Sequence, residues 1–391
     1  MTRLSGRLSI LLIAVLTGLA ACNNDPTKAT FSQNVGAAFA QCNPAEIKFL
    51  ATKHNFMPAF RPCGSNNFDA YAWSPDGTHL YFQLTHGGHV MDAQADNKAT
   101  ITVPTETPIG PAAWLNSTRL AIPLGPAEGA KDDRIALYDL PTGAGQTQIV
   151  YKTLPGLTKP GDLHVGDKSS ELLFTALKGD KRHIYRMNLT DGTIAEAWPW
   201  ASGLEVDTFD YQPARDMLTV GAAGKVTLYG TDGKKAGAWM PARRGILHPR
   251  GRWLALESDG KAVSIFYQRT WDELSEKARA RELARAKKFE EKLPPWYPHE
   301  VKPPTISLVD LQTGKRWMFT GFFGTDFQWY EARDYYASFI LWGFEGKQMN
   351  RNVMLGDLAD RMHSMERDEE MLGVQRWNPE DSEAGSGSGS E

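Results

Sequence analysis

Apolar and polar residues alternate along most of the chain, and tight-turn residues interrupt the alternation at short intervals. An alternation of period two is typical of β-strands that bury one face. In the first clear unit, residues 72–83, two apolar segments flank the turn Ser74-Pro-Asp-Gly77. Because Pro, Asp and Gly suit the backbone angles of tight turns, the pattern predicts antiparallel hairpins.

The same unit recurs along the chain. Further copies begin at residues 113, 164, 210, 247 and 329, and most continue into a second hairpin that turns at Thr-Gly or Asp-Gly. The copies are spaced by about 40 to 50 residues, apart from one interval of about 80. Four strands per unit at this period are typical of propeller blades. The sequence therefore predicts an all-β chain, a β-propeller of six four-stranded blades.

The intact turn Ser74-Pro-Asp-Gly77, followed by Leu80-Tyr-Phe82, resembles the repeat of TolB-type, or WD40-like, propellers. The resemblance covers about residues 69–361 at the level of the repeat, within a propeller domain expected over residues 69–377, and the motif is complete once. In other units the turn is degraded, as in Pro249-Arg-Gly251. No separate N-terminal α/β domain like that of TolB is recognisable, so the resemblance implies a TolB-like propeller and not TolB itself.

The long interval indicates an insertion in the fifth blade at about residues 262–303. Thr270 to Glu273 fits a capping box, and a charged helix is expected from there to Leu293, where two prolines stop it. Its thin apolar stripe leaves two interpretations, a solvated helix over one blade or an arm that grips a partner. The candidate partner-binding residues are Trp271, Leu274, Ala278 and Phe289.

The ends of the chain raise the question of how the ring closes. The sixth unit supplies three clear strands, which end near Asp357. A fourth strand is needed, and we expect Glu46–Leu50, within the segment 22–68, to pair there, because propellers hide their sheet edges. The tail 378–391 is rich in Pro, Glu, Gly and Ser, a composition typical of disorder.

The first 22 residues carry a targeting pattern. A short basic start with Arg3 and Arg7 precedes an apolar run that is too short to span a bilayer. The run ends at Leu19-Ala-Ala-Cys22, which resembles the lipobox of bacterial lipoproteins. The resemblance implies removal of residues 1–21, acylation of Cys22 and anchoring in the cell envelope. Asn23 favours the outer membrane, facing the periplasm; the alternative is an ordinary secretory signal.

Composition excludes some partners. The net charge is −3, and without residues 1–21 the acidic residues outnumber the basic ones by five. A nucleic-acid partner is therefore not expected, since it would need a basic face. Two further cysteines, Cys42 and Cys63, are expected to form a disulfide in an oxidising compartment. The alternative is a pair of unpaired, buried thiols.

Candidate chemistry is sparse. His86 and His89 are the closest histidine pair, but no carboxylate or cysteine lies at ligand spacing, so neither a metal nor a cofactor is expected. The chain has no Gly-x-Ser-x-Gly nucleophile elbow and no phosphate-binding glycine loop. Twelve aromatic residues fall within residues 317–344, and they form either core between blades five and six or an exposed patch.

Three functions remain compatible with this pattern. The leading hypothesis is a non-catalytic scaffold that holds an envelope protein partner. The second is an enzyme, a lyase or glycosidase, that acts on envelope or extracellular polysaccharide; a cluster of Asp, Glu and His facing one end of the channel would favour it. The third is a small-ligand binding module with an aromatic pocket. Fold analogy alone does not separate the three.

Overall fold

A computed structural model describes the chain between residues 56 and 378, apart from sixteen short gaps. The residues outside the description, besides those before 56 and after 378, are 61–69, 85–86, 93–99, 104, 107, 142–147, 169, 260–262, 265–274, 282–283, 285–299, 302–303, 320–323, 332–334, 346–347 and 372–373.

The described strands form a ring of six antiparallel sheets, which confirms the predicted six-bladed propeller. In blades one to four the strands follow one another in chain order from the inside to the outside of the ring, as a meander. Blade one holds β2 to β5, at Ala70–Trp73, His79–Leu84, Gly87–Asp92 and Thr100–Thr102. Blade two holds β6 to β9, at Ala113–Asn116, Arg119–Leu124, Arg134–Asp139 and Ile149–Thr153.

The next two blades repeat the same four-stranded meander. Blade three holds β10 to β13, at Thr158–Val165, Glu171–Lys178, Lys181–Asn188 and Ile194–Glu196. Blade four holds β14 to β17, at Thr208–Gln212, Met217–Ala222, Lys225–Gly230 and Lys235–Trp239. Two short 3-10 helices, Pro199–Gly203 and Pro213–Arg215, lie in the connections of these blades.

Blade five departs from the four-stranded pattern. Its inner strands are β18, β19, β22 and β23, at Arg244–Leu247, Trp253–Asp259, Pro304–Asp310 and Arg316–Phe319. A fifth strand, β27 at Val374–Arg376, pairs with β23 on the outside and comes from the C-terminal segment. This strand was not predicted from the sequence, because only three residues form it and so short a run shows no periodicity.

The predicted insertion leaves blade five between β19 and β22. A two-stranded ladder of β20, Val263–Ser264, with β21, Glu300–Val301, joins the two ends of the insertion. Between them, residues 276–281 and 284 are helical, which confirms a helical insertion; we label this segment α1. Ser275 is described and directly precedes the helical residues, and the remaining residues of the predicted helix, 271–274, 282–283 and 285–293, lie outside the described part of the chain.

Blade six is closed by a strand from the N-terminal segment. Its inner three strands are β24, β25 and β26, at Gly324–Trp329, Tyr336–Glu345 and Gln348–Asp357. The outer strand is β1, Phe56–Phe60, which lies within the predicted segment 22–68; Glu46–Leu50 lies outside the described residues. Pro58 makes β1 a poor strand by sequence, but an edge position tolerates a residue without an N–H donor.

The core lies between the blades. Six apolar clusters of described residues occupy the six junctions between neighbouring blades, one at each. The junction of blades five and six also receives α2, Ala359–Glu366, whose Met362 and Met365 are buried there after Leu358. Apolar residues at this spacing fall on one helix face. The C-terminal segment therefore crosses from blade six and packs against blade five.

Candidate functional site

The innermost strands can be compared position by position because their turns and registers are equivalent. Ala70, Thr208 and Arg244 each lie five residues before a turn proline. Each pairs with the residue thirteen positions later, which is Gln83, Gly221 or Glu257. One structural position thus holds an alanine in blade one and an arginine in blade five, so the ring is not chemically symmetric.

Charged residues gather around Arg244 at the inner strands of blades three to six. The Nη1 atom of Arg244 lies 3.6 Å from Oδ1 of Asp326 in blade six. Burial favours the neutral guanidine, but the nearby carboxylates of Glu257, Asp162, Asp326 and Asp210 raise the pKa of Arg244 well above its ordinary value. We call these five residues together with His164 the channel cluster.

Two carboxylates of the channel cluster hold neighbouring blades together. Asp210 accepts the backbone N–H of Leu247 in blade five at 2.8 Å. Glu257, whose surface is 2% exposed, accepts the N–H of Phe327 in blade six at 2.6 Å. Each bond satisfies a buried donor of the next blade, and breaking one would leave a buried polar group unpaired. These two side chains are therefore already engaged within the fold.

His164 is also engaged within the fold. Its Nε2 lies 3.2 Å from the backbone oxygen of Phe209, and since a carbonyl only accepts, Nε2 carries the proton and donates. Its Nδ1 lies 3.7 Å from Oδ1 of Asp210, and the ring packs edge-on against Phe209. Both ring nitrogens consequently face blade four.

Asp162 and Asp326 are the carboxylates of the channel cluster that remain partly exposed. Asp162 stands at an irregular point of β10, where the backbone φ is +43° and the register with β11 shifts. Aspartate is among the few residues that tolerate this left-handed conformation. The Thr175 hydroxyl donates to Asp162 at 3.3 Å, and 32% of the Asp326 side chain is exposed.

Burial changes the pKa of two carboxyls of the channel cluster, those of Asp162 and Glu257. Burial raises the pKa of Asp162, and the charges of Arg244, His164 and Arg182 oppose the rise only in part. Burial likewise raises the pKa of Glu257, against the attraction of Arg244. A carboxyl in a low-dielectric site holds its proton longer than one in water.

Blades one and two present small residues where blades three to six present charges. The buried Ala70 and Ala72 lie on β2, and the buried Ala112 directly precedes β6. They are fixed by aromatic hydrogen bonds, since Trp114 Nε1 donates to the oxygen of Ala72 at 2.9 Å and the Tyr71 hydroxyl donates to the oxygen of Asp326 at 2.7 Å. We call β2 and β6 the alanine arc, and β10, β14, β18 and β24 the charged arc.

Blade four shows why one position of the ring must lack a side chain. Gly221 is the counterpart of Gln83 and Glu257, and a Cβ atom there would collide with the backbone oxygen of Arg243. The Thr208 hydroxyl donates to the same oxygen at 2.7 Å. The backbone of blade five thus occupies the space that a longer side chain fills elsewhere in the ring.

Most of the residues singled out from sequence lie outside the described part of the chain. Cys22, Cys42, Cys63, Trp271, Leu274, Phe289 and His86 all fall there. Ala278 is described and lies on α1, partly exposed. His89 lies on β4 and stacks on Phe82, and burial lowers its pKa. Neither Ala278 nor His89, the two that are described, forms a hydrogen bond or an ion pair with a residue of the channel cluster.

Sequence analysis missed the channel cluster because its members are far apart in the chain. A signal was present: aligning the six units shows polar residues inside otherwise apolar inner strands, as in Thr208–Gln212 and Gly324–Trp329. Among the described residues, no group of three or more His, Cys, Asp or Glu side chains is arranged to hold a metal ion. No helix in the described part of the chain is long and apolar enough to cross a membrane.

Most of the described aromatic residues near the end of the chain are core. Those buried at the junctions next to blade six are Trp317, Phe319, Phe327, Trp329, Tyr330 and Phe339. Trp329 Nε1 also donates to the oxygen of Ile246 in the preceding blade at 3.1 Å. The described part of this segment thus packs blades together, as the first of the two interpretations expected.

Comparison with protein-family models and with curated protein sequences finds no match. Among solved structures, the chain is similar to the hydrazine synthase of Kuenenia stuttgartiensis, with a TM-score of 0.47, 12% identity and coverage of 80% of this chain and 84% of the other. The Cps50 (Swd1) propeller domain of Myceliophteria thermophila gives a TM-score of 0.43, 11% identity and coverage of 74% and 83%.

TolB from Acinetobacter baumannii is also similar, with a TM-score of 0.39, 13% identity and coverage of 80% of this chain and 69% of TolB. TolB-type propellers are the group whose repeat the Ser74 to Gly77 turn resembles. Identities and TM-scores at this level carry no inference about activity. The assignment of a six-bladed propeller rests on the strand order and register of the blades.

Proposed function

We propose that the chain is an envelope-anchored lipoprotein whose propeller is a non-catalytic scaffold for a protein partner. The observation that carries the proposal is that titratable side chains of the ring are engaged in contacts within the fold. Asp210 and Glu257 accept backbone N–H groups of the next blade, and His164 turns both ring nitrogens to blade four. A general acid or base must reach the proton of a substrate, and these groups are committed elsewhere.

The anchor and location belong to the same proposal and are supported by the sequence alone. Cleavage before Cys22 and its acylation would tether the domain to the membrane. The segment after Cys22 then leads to β1, the strand that closes blade six. A scaffold held in this way would face the periplasm from the outer membrane.

The proposed contact with the protein partner is the insertion. The pairing of its two ends shows how it can be deleted without separating the strands that it joins. Val263 pairs with Val301 and Ser264 with Glu300, so the two ends of the insertion lie at the distance of neighbouring strands. Replacing residues 265–299 by Asn-Gly would join them through a two-residue hairpin turn and remove α1. A milder variant, Ala278→Glu, adds a charge to the helix without shortening it.

The test is affinity isolation of the lipidated protein from crosslinked envelopes, followed by mass spectrometry. We expect one or two envelope proteins to be recovered with the wild type and lost with the shortened insertion. Cys22→Ser, which removes the acylated thiol, is the control for partners met only through the membrane. Identical recovery with the wild type and the shortened chain would exclude the insertion as the contact, and recovery of no specific protein would argue against the scaffold.

A second function is favoured by one observation. Carboxylates from four blades and His164 converge at the inner strands, an arrangement that an enzyme acting on polysaccharide would need, and burial raises the pKa of Asp162 and Glu257. Turnover of envelope glycans by the purified chain, abolished by Asp162→Asn but unaffected by Glu128→Gln in an exposed loop, would establish it. Absence of turnover across the glycans tested would leave the scaffold as the better account.

A further inference from the structure

We propose that the outer edge of β23 in blade five is a docking site for an extended segment of a protein partner, and that β27 is the chain's own occupant of that site. The partner's segment takes the place of β27 and continues the sheet in the same antiparallel register. Addition of a strand to a sheet edge is a common way of recognising a peptide. The inference rests on the proposed function in that it assigns the chemistry of the segment that a protein partner presents.

Blade five is complete without β27. In the described part of the chain, blades one to four end at their fourth strand, and blade six gains its fourth strand from β1. Blade five already has four strands, so β27 is a fifth one. Because β27 lies on the outside of the ring, its replacement leaves the order of the blades unchanged.

Few contacts hold β27 in place. Of its three residues, Val374 is fully buried, whereas Gln375 and Arg376 are exposed. Arg376 forms an ion pair with Asp368, but both side chains are exposed, and such pairs contribute little to stability. A three-residue ladder with one buried side chain opens more readily than the inner strands of the blade.

The segment that precedes β27 is fixed independently of it. Helix α2 is packed at the junction of blades five and six. Beyond it, Lys315 Nζ lies 2.6 Å from Oδ2 of Asp368, and the backbone N–H of Glu369 donates to the oxygen of Ser364 at 2.9 Å. The exchange therefore concerns the chain after Glu369, and the edge of β23 keeps its surroundings when β27 leaves.

The face of β27 that looks toward blade six selects two side chains. Val374 is paired with Phe319 and lies in the apolar cluster that contains Phe319 and Trp317. Arg376 is paired with Trp317, and its Cζ atom lies 5.6 Å from the centre of the Trp317 ring. Since residues two apart share a face of a strand, the site takes an aliphatic residue followed two positions later by a basic one.

The opposite face selects an aromatic residue. The backbone N–H of Trp377 donates to the oxygen of Arg316 at 2.9 Å, and its ring lies 4.5 Å from the Arg316 Cζ atom. Arg316 is buried and donates to the Ser307 hydroxyl and to the oxygen of Pro241, but no described carboxylate pairs with it. An aromatic face stabilises such a cation. The segment that fits is thus aliphatic, any residue, basic, aromatic.

The docking edge lies close to the insertion. Ser307 is paired with Met318, so Phe319 and its partner Val374 lie two residues from Pro304, where the chain returns from the insertion to blade five. The proposed contact and the docking edge consequently occupy the same end of one blade. A single protein partner can contact both.

The experiment is a fluorescence anisotropy titration of the purified full chain in detergent. The probe is a labelled peptide of residues 372–378, Leu-Gly-Val-Gln-Arg-Trp-Asn. We expect it to bind a chain that ends at residue 373 about tenfold more tightly than the wild type, because the tethered β27 competes at a high effective concentration. Thermal melting establishes that the shortened chain is folded.

Changes within the peptide test the recognition pattern. Val374→Asp in the peptide should weaken binding by about tenfold or more, because it places a charge in an apolar site. Trp377→Ala should weaken it about fivefold through loss of the contact with Arg316. Gln375→Ser is the matched control, since that side chain is exposed, and it should leave the affinity unchanged.

A reversible lock tests the exchange without shortening the chain. Met318 and Gln375 are directly opposite each other, at a Cα separation that a disulfide spans. Met318→Cys with Gln375→Cys should abolish peptide binding when oxidised and restore the wild-type affinity when reduced. The controls are the wild type in the same reductant and a lock within blade four, Thr227→Cys with Ala238→Cys.

The outcomes separate the docking edge from the proposed function. Equal peptide affinity in the wild type and the shortened chain, or peptide binding that survives oxidation of the lock, would overturn the docking edge and leave the insertion as the contact. If the shortened chain does not fold, the lock decides alone. A wild-type dimer in light scattering that the lock abolishes would identify a second copy as the occupant and overturn the assignment to a partner. Because the titration needs no envelope protein, a failed envelope isolation counts only against the proposed function.

Discussion

The alanine arc and the charged arc have the same backbone and opposite chemistry. In both, a tryptophan one blade along donates its indole N–H to the backbone of the preceding blade, as Trp114 does to Ala72 and Trp329 to Ile246. In the alanine arc the facing inner positions hold Ala70 and Ala72, and in the charged arc they hold Arg244, Asp162 and other charged groups. The blades of the two arcs thus share one way of joining their backbones, but the side chains that line the ring differ between the arcs.

The difference shows which features the propeller needs and which it only tolerates. The apolar clusters and the tryptophan bonds occur on both sides of the ring, so they belong to the fold. In the described innermost strands charged residues occur on one side only, and the bonds that Asp210 and Glu257 accept from Leu247 and Phe327 limit the desolvation cost there. Charges that the fold does not require are candidates for function.

Removing the central charge should produce the largest effect. Arg244→Met leaves four carboxylates without their common guanidinium, and breaking a buried ion pair costs about 3 to 5 kcal/mol. Since 19% of the Arg244 side chain is exposed, we expect a loss of about 3 kcal/mol in the free energy of unfolding, measured by urea denaturation with tryptophan fluorescence.

A double variant sharpens that result. Arg244→Met combined with Glu257→Gln should lose less than the sum of the two single variants, because the second change removes a charge that the first leaves unpaired. A loss below about 0.5 kcal/mol for Arg244→Met alone would mean that the channel cluster contributes nothing to holding the ring.

Removing the indole hydrogen bond that occurs in both arcs should have an effect of intermediate size. Trp114→Phe and Trp329→Phe each remove an indole donor and leave a buried backbone oxygen unpaired, so each should lower the free energy of unfolding by about 1 to 3 kcal/mol. Thermal and urea unfolding measure both. If only the charged-arc variant were destabilised, the two arcs would not share a common way of joining blades.

The smallest effect is expected at the turn of blade one. Partial burial raises the pKa of Asp76, but hydrogen bonds from Ser74 and Thr78 outweigh it and lower that pKa to about 2. Asp76→Ala should cost about 1 kcal/mol at neutral pH, because the turn is exposed. A group whose pKa falls on folding stabilises above its unfolded pKa and loses that contribution as the pH falls through its folded pKa.

The difference between Asp76→Ala and the wild type should therefore shrink as the pH falls toward 2, as measured by thermal melting at both pH values. In blade five the corresponding turn has no aspartate, and the backbone N–H of Arg250 donates to His248 instead, with Gly251 in the left-handed region. A pH-independent effect of Asp76→Ala would show that the turn is held by shape rather than by the carboxylate.

Particular residues show how far sequence reasoning reached. The alternation around Trp73 and Asp76 and its weaker copies predicted six blades, because a strand and its turn are local in sequence. The outermost strands of blades six and five, β1 and β27, were not recognised, since one contains Pro58 and the other has three residues. Helix α2 was overlooked although Leu358, Met362 and Met365 have helical spacing.

The sequence by itself determined the fold class, the number of blades and the position of the insertion, because hairpins depend on neighbouring residues and on turn chemistry. Only the tertiary structure decided that Asp162, Asp210, Glu257 and Asp326 surround Arg244. Alternation tells which side of a strand a residue lies on, but not which residue of another blade it meets. Only the tertiary structure could decide that β1 closes the ring, because any edge strand can supply the same backbone hydrogen bonds.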